Sequence, residues 1–437
     1  MLDLTRTRVA RSVVARATAL PGRGVFGNLI ARVVALAAVA IVTILVAREG
    51  GADDVGLLAL MRVLPGVIGM LAACGLSSAV GYFIGGPERD HPRLWPTVHV
   101  IMAAGAVGGA LVWFALTPII HHRLMTTTTS AVVAAVGVTV ATQVPVGVAK
   151  ACLQALGDSR GASIVIAAEE AAFLPAYALG WAVGLRSGWL LVTALFIADV
   201  VVAVGAWVRI VQRVRAGGTA HARQLGRPDR DLGARVVRFG LRSQVGGVVS
   251  LLNLRLDVVI LGSFANPVTV GVYVVASKYA ELLRLPAVAL TWVAYPAVAR
   301  QGTADFTRRA GRAVSVLLPV GLVAAAVLAL SAFPLLPLVY GHQFTDARWP
   351  AAWIALGLIA EPAAGLASAY LMGTGRPGTN SLILGVGLAI TVVLDFLLIP
   401  MYGALGAAVA SALAYLSTDI VLLGAMRHGI RTREAPA

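Results

Sequence analysis

The stretch VFGNLIARVVALAAVAIVTILVA, from Val25 to Ala47, decides the class of this chain. As a helix it runs about 35 Å at 1.5 Å per residue, enough to cross a hydrocarbon core of roughly 30 Å. It is too long for the apolar core of a cleaved leader, so it reads as the first of a series of membrane helices. Comparable apolar runs continue to the far end of the chain, over 55–85, 96–117, 130–152, 161–184, 188–210, 239–264, 268–297, 313–336, 350–373, 379–399 and 403–425. The expectation is an all-α membrane protein of about twelve transmembrane helices.

Composition supports that reading. The 437 residues are 59% hydrophobic and 13% charged, with a mean hydropathy of +0.86. A soluble domain carries roughly 25% charged residues, so this chain has about half the charge needed to coat a water-facing surface. The net charge of +15 would suggest nucleic acid on a soluble chain. Here the basic residues collect in alternate loops, and topology explains them without a nucleic-acid partner. With the N-terminus inside, 25 of the 33 arginines fall on the inner side, counting Arg209 and Arg242 at the inner ends of their runs, and 4 (Arg48, Arg123, Arg186 and Arg348) on the outer. Cells retain basic segments in the cytoplasm, so both termini are expected there. The two cysteines, Cys74 and Cys152, fall within apolar runs and carry no metal or disulfide spacing.

The longest polar stretch divides the chain in two. The expected organisation is a basic cytoplasmic arm over 1–24, an N-lobe of six helices over 25–211, a basic cytoplasmic linker over 212–235, a C-lobe of six helices over 236–425 and a cytoplasmic tail over 426–437. The arm either lies on the anionic inner lipid surface or is disordered. The lobes look duplicated. Val55-Gly56-Leu57 corresponds to Val270-Gly271-Val272 at an offset of 215, and Leu153 to Gly157 corresponds to Leu371 to Gly375 at 218. Six helices per copy give both copies the same orientation, with the relating axis along the membrane normal. Such a bundle commonly encloses a cavity between its halves.

Ionisable residues inside the runs mark where that cavity should be. Each costs about 2.5–3.5 kcal/mol at the centre of a membrane helix, so several together need partners or water. Lys278, Glu281 and Arg284 are spaced three apart and lie along one helical stripe. They read either as a lined cavity or as a ladder in which Glu281 serves two cations. Arg62 stands one position from the repeat equivalent of Lys278, so cations would face each other across the lobes. Arg32 is about 10 Å into the first helix, where it either lines the cavity or snorkels. Arg255 and Asp257 lie two apart and face different neighbours. Asp257 and Asp395 share a depth in the outer third of their helices, which fits either a shared proton or hard cation, Na+ or H+ coupling, or a watery vestibule. Glu169-Glu170, Asp199, Glu361 and Asp419 are also intramembrane, with partners that spacing does not reveal. Prolines at 65, 145, 175, 286, 319 and 362 fall inside helices, where each permits a kink. Neither a nucleotide-binding G-x-x-x-x-G-K-[ST] loop nor an H-E-x-x-H pair occurs, and the outer loops are short for a glycan polymerase or ligase. The chain is not expected to be an enzyme or to hold a cofactor.

Several stretches carry a family resemblance: Leu256-Asp257-Val258-Val259-Ile260-Leu261-Gly262, Ala276-Ser277-Lys278-Tyr279-Ala280-Glu281, Tyr295-Pro296-Ala297-Val298-Ala299-Arg300, Val339-Tyr340-Gly341, and Ile399-Pro400-Met401-Tyr402-Gly403-Ala404. They resemble the polysaccharide transporter (O-antigen translocase) family of the multidrug/oligosaccharidyl-lipid/polysaccharide exporter superfamily. The resemblance implies a flippase moving a polyprenyl-(pyro)phosphate-linked saccharide from the inner to the outer leaflet of the bacterial plasma membrane by alternating access. Its partners would be that lipid-linked sugar, membrane lipids and other polysaccharide-assembly proteins. In the related lipid II flippases a cationic cavity receives the phosphates. Lys278 and Glu281 look like the Arg and Glu of their eighth-helix motif, and Arg32 like the first of two first-helix arginines, with Ala38 standing at the second. The phosphate-binding set implied is Arg32, Arg62, Arg255, Lys278 and Arg284, with Glu281 as a cavity salt bridge. Asp257 and Asp395 fall near the acids of the sodium site in those flippases. A cation-coupled multidrug antiporter of the same fold is the competing reading.

Overall fold

The computed structural model describes residues 22–86, 88, 91–216, 227–284, 303–374 and 376–434, and among these every regular element is helical. In chain order they are α1 (Gly22–Ala72), α2 (Leu76–Gly85), α3 (Leu94–Arg123), α4 (Ser130–Ala155), α5 (Ser159–Ala171), α6 (Phe173–Ala182), α7 (Ser187–Ala216), α8 (Arg230–Phe264), α9 (Pro267–Ala280), α10 (Thr303–Tyr340), α11 (Arg348–Gly357), α12 (Glu361–Gly373) and α13 (Pro377–Glu434). Short 3₁₀ turns follow α9 at Glu281–Leu283 and precede α11 at His342–Ala347.

Among the described residues the thirteen helices fit the expected twelve crossings, because the two longest reverse direction. The apolar part of α1 spans Val33–Ala72 and that of α13 Gly378–Ile430. At 1.5 Å per residue these would be about 60 and 80 Å long, twice or more the bilayer core. Each breaks at one glycine in a conformation that L side chains avoid, Gly51 (φ 76, ψ −165) and Gly403 (φ 53, ψ −127). Hairpins therefore form between the first and second crossings and between the eleventh and twelfth. Three crossings are divided. The second breaks at 73–75 between α1 and α2, the fifth at Ala172 between α5 and α6, and the tenth bends by 42° between α11 and α12. Periodicity alone had made each of these a continuous helix. The C-terminal helix also continues to Glu434, past the expected end of its apolar run at 425. The basic arm before residue 22, Pro286 and residues 285–302 of the eighth crossing lie outside the described residues. Lipid takes the outward faces, where Leu330, Leu338 and Met401 are strongly exposed.

The internal repeat meets itself at the lobe boundary. A Cβ placed on Gly56 would lie 1.8 Å from the Pro267 carbonyl oxygen, and one placed on Gly271 would lie 1.9 Å from that of Ala52. The offset of 215 seen in the sequence exchanges the two contacts, carrying Gly56 to Gly271 and Ala52 to Pro267. The second and eighth crossings thus touch backbone to backbone across a pseudo-two-fold axis, at the end of the bundle where Gly51 and Gly403 turn the chain. At this hairpin end one core runs through both lobes, including Leu57, Trp113, Val270, Tyr273, Leu336 and Phe344. Toward the opposite, linker end it gives way to two separate cores. One gathers Leu76, Phe83, Leu94, Cys152 and Ile210, the other Val314, Ala367, Tyr370 and Leu422. Packing is continuous at one end and divided at the other, and the gap between opens into a cavity.

Candidate functional site: a charged cavity between the lobes

The cavity has a volume of about 490 Å³ and is lined from the first, second, fourth, fifth and sixth crossings of the N-lobe and the seventh and eighth of the C-lobe. Three of the sequence-predicted cations reach it: Arg62, Arg255 and Lys278. Arg62 sits on α1, with its Nη1 2.5 Å from Glu170 Oε2 and its guanidinium 5.1 Å over the Phe173 ring. Lys278 Nζ lies 3.0 Å from Glu281 Oε2 at the last turn of α9. Arg255, on α8, makes no ion pair or hydrogen bond among the described residues.

The N-lobe wall holds groups that spacing had not brought together. Glu169 and Glu170 are adjacent on α5, so they point about 100° apart around the helix and serve different neighbours. Glu170 takes Arg62 from α1, and Glu169 Oε2 takes Lys150 Nζ from α4 at 2.8 Å. Asp199 on α7 accepts a 3.0 Å hydrogen bond from Thr142 Oγ1. All line the cavity apart from Thr142. Lys150 was legible as an intramembrane charge, and Asp199 had a signal too: Asp199-Val200-Val201 recurs as Asp419-Ile420-Val421 on the last helix of the other lobe.

Arg284 is not in the cavity. The helical stripe ends because α9 tightens into the 3₁₀ turn at Glu281–Leu283, which turns Arg284 into the C-lobe. There its Nε lies 3.2 Å from Glu361 Oε1 on α12 and its guanidinium 5.1 Å over Tyr415 on α13. Asp419, one turn beyond Tyr415, is buried with Oδ2 lacking a hydrogen-bond partner. The ladder in which Glu281 bonds both Lys278 and Arg284 does not form either. The Arg32 side chain lies outside the described residues, although its backbone belongs to α1.

Asp257 and Asp395 occupy a separate polar cluster in the C-lobe. Asp257 Oδ1 accepts from the Val258 amide at 2.8 Å, and Oδ2 accepts from the Tyr273 hydroxyl, which also lies 3.2 Å from Ser411 Oγ. The Phe264 and Phe396 rings, 6.0 Å apart edge to face, hold α8 beside α13 at this level. Asp395 is completely buried and neither of its oxygens has a hydrogen-bond partner. No group of three or more His, Cys, Asp or Glu arranged for a metal occurs among the described residues.

Both ends of the cavity carry lobe-to-lobe contacts. At the hairpin end Arg48 donates to the carbonyls of Val339, at 2.8 Å, and Leu338, while Gln343 accepts from the Ala52 amide at 3.3 Å and donates to the Ala47 carbonyl at 3.4 Å. At the linker end the start of α8 straps onto the N-lobe. Phe239 stacks on Tyr82 at 4.5 Å, Gln244 Nε2 donates to the Met70 carbonyl at 2.7 Å, and Arg235 meets Glu88 at 2.9 Å. Within the N-lobe, Asp158 caps α5 through the Gly161 amide and binds Arg209 at 2.6 and 3.0 Å and Arg213 at 2.9 Å, both from α7. Those guanidinium bonds hold the Asp158 carboxyl well below the usual carboxylate range.

A family model described as polysaccharide biosynthesis protein matches residues 45–348. The chain belongs to that family. No curated protein matches it in sequence. Solved structures show the fold this family member shares. An inward-facing multidrug resistance MATE family transporter of the MOP superfamily aligns with a TM-score of 0.71 at 16% identity, covering 92% of this chain and 96% of the other. The lipid II flippase MurJ, in an inward closed conformation, aligns at 0.70 and 14% identity, covering 92% and 87%. A MOP superfamily transporter from Pyrococcus furiosus, described by the reverse polarity of its binding pocket, aligns at 0.59 and 16% identity, covering 94% and 96%. The family member is therefore a multi-pass membrane protein with the two-lobed fold of these structures.

Proposed function

We propose that this protein flips a polyprenyl-phosphate-linked saccharide across the bacterial plasma membrane, from the inner to the outer leaflet, by rocking its two lobes about the Gly56–Gly271 contact. The observation that carries the reading is the inter-lobe cavity with Arg255 in its wall, a cation within the field of Glu281 and Asp257 but in no ion pair among the described residues, in a chain of the polysaccharide biosynthesis family. A phosphate leaving water needs fixed charge to replace its hydration, and a guanidinium offers forked donors for it. Arg255 takes the phosphate first. Arg62 and Lys278 contribute as their carboxylate partners yield, and Arg284, committed to Glu361, takes no part. The linker end, where the cores part, faces the cytoplasm with both termini, and the lipid tail stays in the bilayer.

Asp257 and Asp395 are assigned to coupling. A fully buried carboxyl with two unpartnered oxygens is too costly to keep as a bare anion. A proton on Asp395, or a Na+ held by the two carboxyls and the Ser411 hydroxyl, removes that cost. The competing multidrug antiporter draws support from the three cavity carboxyls Glu169, Glu170 and Asp199. Binding separates the two readings. Purified protein should bind polyprenyl phosphate, and Arg255→Ala should weaken that binding by about 1.5–3 kcal/mol, the range for hydrogen bonds to charged groups. Tight binding of lipophilic cations with none of polyprenyl phosphate would overturn the flippase reading.

A further inference from the structure

We propose that the N-lobe wall of the cavity is a saccharide-reading surface that accepts a neutral sugar next to the lipid phosphate and rejects a uronic acid. The inference rests on the flippase reading and adds the class of sugar. The two sides of the cavity differ in how their charges are matched. On the C-lobe side Arg255 is in no ion pair among the described residues, and this directs the phosphate there. On the N-lobe side two cations, Arg62 and Lys150, face three carboxyl groups, Glu169, Glu170 and Asp199, and each cation already lies within 2.8 Å of a glutamate. Whether Arg62 stays on Glu170 or turns to the phosphate, that wall has no cation left for an acidic sugar.

It is nevertheless well equipped for hydroxyls. Each glutamate uses Oε2 for its ion pair, and the four paired side chains keep 24–34% of their surface exposed. Free carboxylate lone pairs accept sugar hydroxyls, and Lys150 and the Arg62 fork retain protons to donate. Gln143, also in the lining, supplies both kinds of group. A wall of alternating donors and acceptors matches a ring of hydroxyls, each of which donates and accepts. A uronate carboxylate only accepts, and here it would meet three carboxyl groups with both cations engaged. The cavity volume of about 490 Å³ falls in the range of roughly 300–1,000 Å³ typical of small-molecule sites, so the sugar next to the phosphate can reach this wall.

The experiment compares three ligands on the full-length protein in lipid nanodiscs: polyprenyl phosphate alone, polyprenyl phosphoglucose and polyprenyl phosphoglucuronate. Wild type should bind the glucuronate about ten- to a hundredfold more weakly than the glucose form, spanning a like-charge contact from screened to partly desolvated. The double variant Glu169→Gln with Glu170→Gln retains carbonyl acceptors for Lys150 and Arg62. It should bring the two saccharides within about threefold of each other, on the same reasoning that one like charge in water is a few-fold effect, and it should bind bare polyprenyl phosphate no more weakly than wild type, since Arg62 is released from Glu170. Glu169→Gln alone leaves the Arg62–Glu170 pair in place and should recover part of the difference should the double variant fold poorly. Equal binding of both saccharides by wild type, or discrimination unchanged in every folded variant, overturns the proposal while the flippase reading stands. Failure of wild type to bind bare polyprenyl phosphate removes the flippase reading and this one with it.

Discussion

Gly56→Ala should wedge the lobes apart at the hairpin end. The new Cβ would sit 1.8 Å from the Pro267 carbonyl oxygen, whereas real Cβ contacts essentially never fall below 3.0 Å, so the helices must separate locally by at least 1.2 Å. The obstacle is backbone at the first turn of α9 and has no rotamer to escape into. Overpacking of this kind costs about 1–3 kcal/mol, and it acts only while the hairpin end is closed. Alanine also gains about 0.5–1 kcal/mol over glycine inside a helix, and that gain persists in either state. A differential of 1–3 kcal/mol shifts a two-state equilibrium by about 5–150-fold. Spin labels at Glu49 and Asp346, both exposed at the hairpin end, would report the change in a background with Cys74 and Cys152 replaced. Pulsed dipolar spectroscopy should show a longer distance population grow in Gly56→Ala, and in Gly271→Ala as well, because the contact is pseudo-symmetric. An unchanged distance distribution with an unchanged melting temperature in both variants would refute the pivot.

Asp158→Asn keeps the helix cap but loses the charge that binds Arg209 and Arg213. An apparent stability loss of about 1.5–3 kcal/mol is expected, toward the lower end because Arg213 is half exposed. Because the Asp158 pKa is depressed in the folded protein, its contribution is complete above the unfolded value of about 3.9 and fades as pH falls below it. The gap in melting temperature between wild type and variant should therefore hold from pH 7 to about 5 and close in acid. Arg284→Ala leaves the partly buried Glu361 without its cation, and a loss of about 1.5–3 kcal/mol is expected, the range for hydrogen bonds to charged groups; thermal unfolding should record that loss while polyprenyl phosphate still binds the folded fraction. Asp395→Asn should abolish the dependence of transport on its driving ion gradient in proteoliposomes, with cargo binding intact; transport unaltered in every Na+ and H+ gradient would leave Asp395 without a coupling role.

Much of this architecture was present in the linear chain, and the reason is physical. Backbone groups inside a bilayer must satisfy one another within the helix, so apolar length alone counts the crossings from Val25 onward. The duplication was readable for a similar reason: only glycine lets two backbones approach as Gly56 and Gly271 do, so both copies kept it. Helix interruptions at Cys74-Gly75 and Ala172 were not readable, since neighbouring helices supply the packing that tolerates them. Charge pairing lay further out of reach. Lys278, Glu281 and Arg284 share a stripe in an ideal helix, yet one 3₁₀ turn sends Arg284 to Glu361, 77 residues away. Glu169 and Glu170 looked alike as neighbours, and only the placement of α1 and α4 gave one to Lys150 and the other to Arg62. That charges lie within the membrane, and on which helices, was legible along the chain. Which charges face the cavity, and which of those keep a partner, was decided by tertiary packing, because an ion pair depends on distances of a few ångströms between helices that no local spacing encodes.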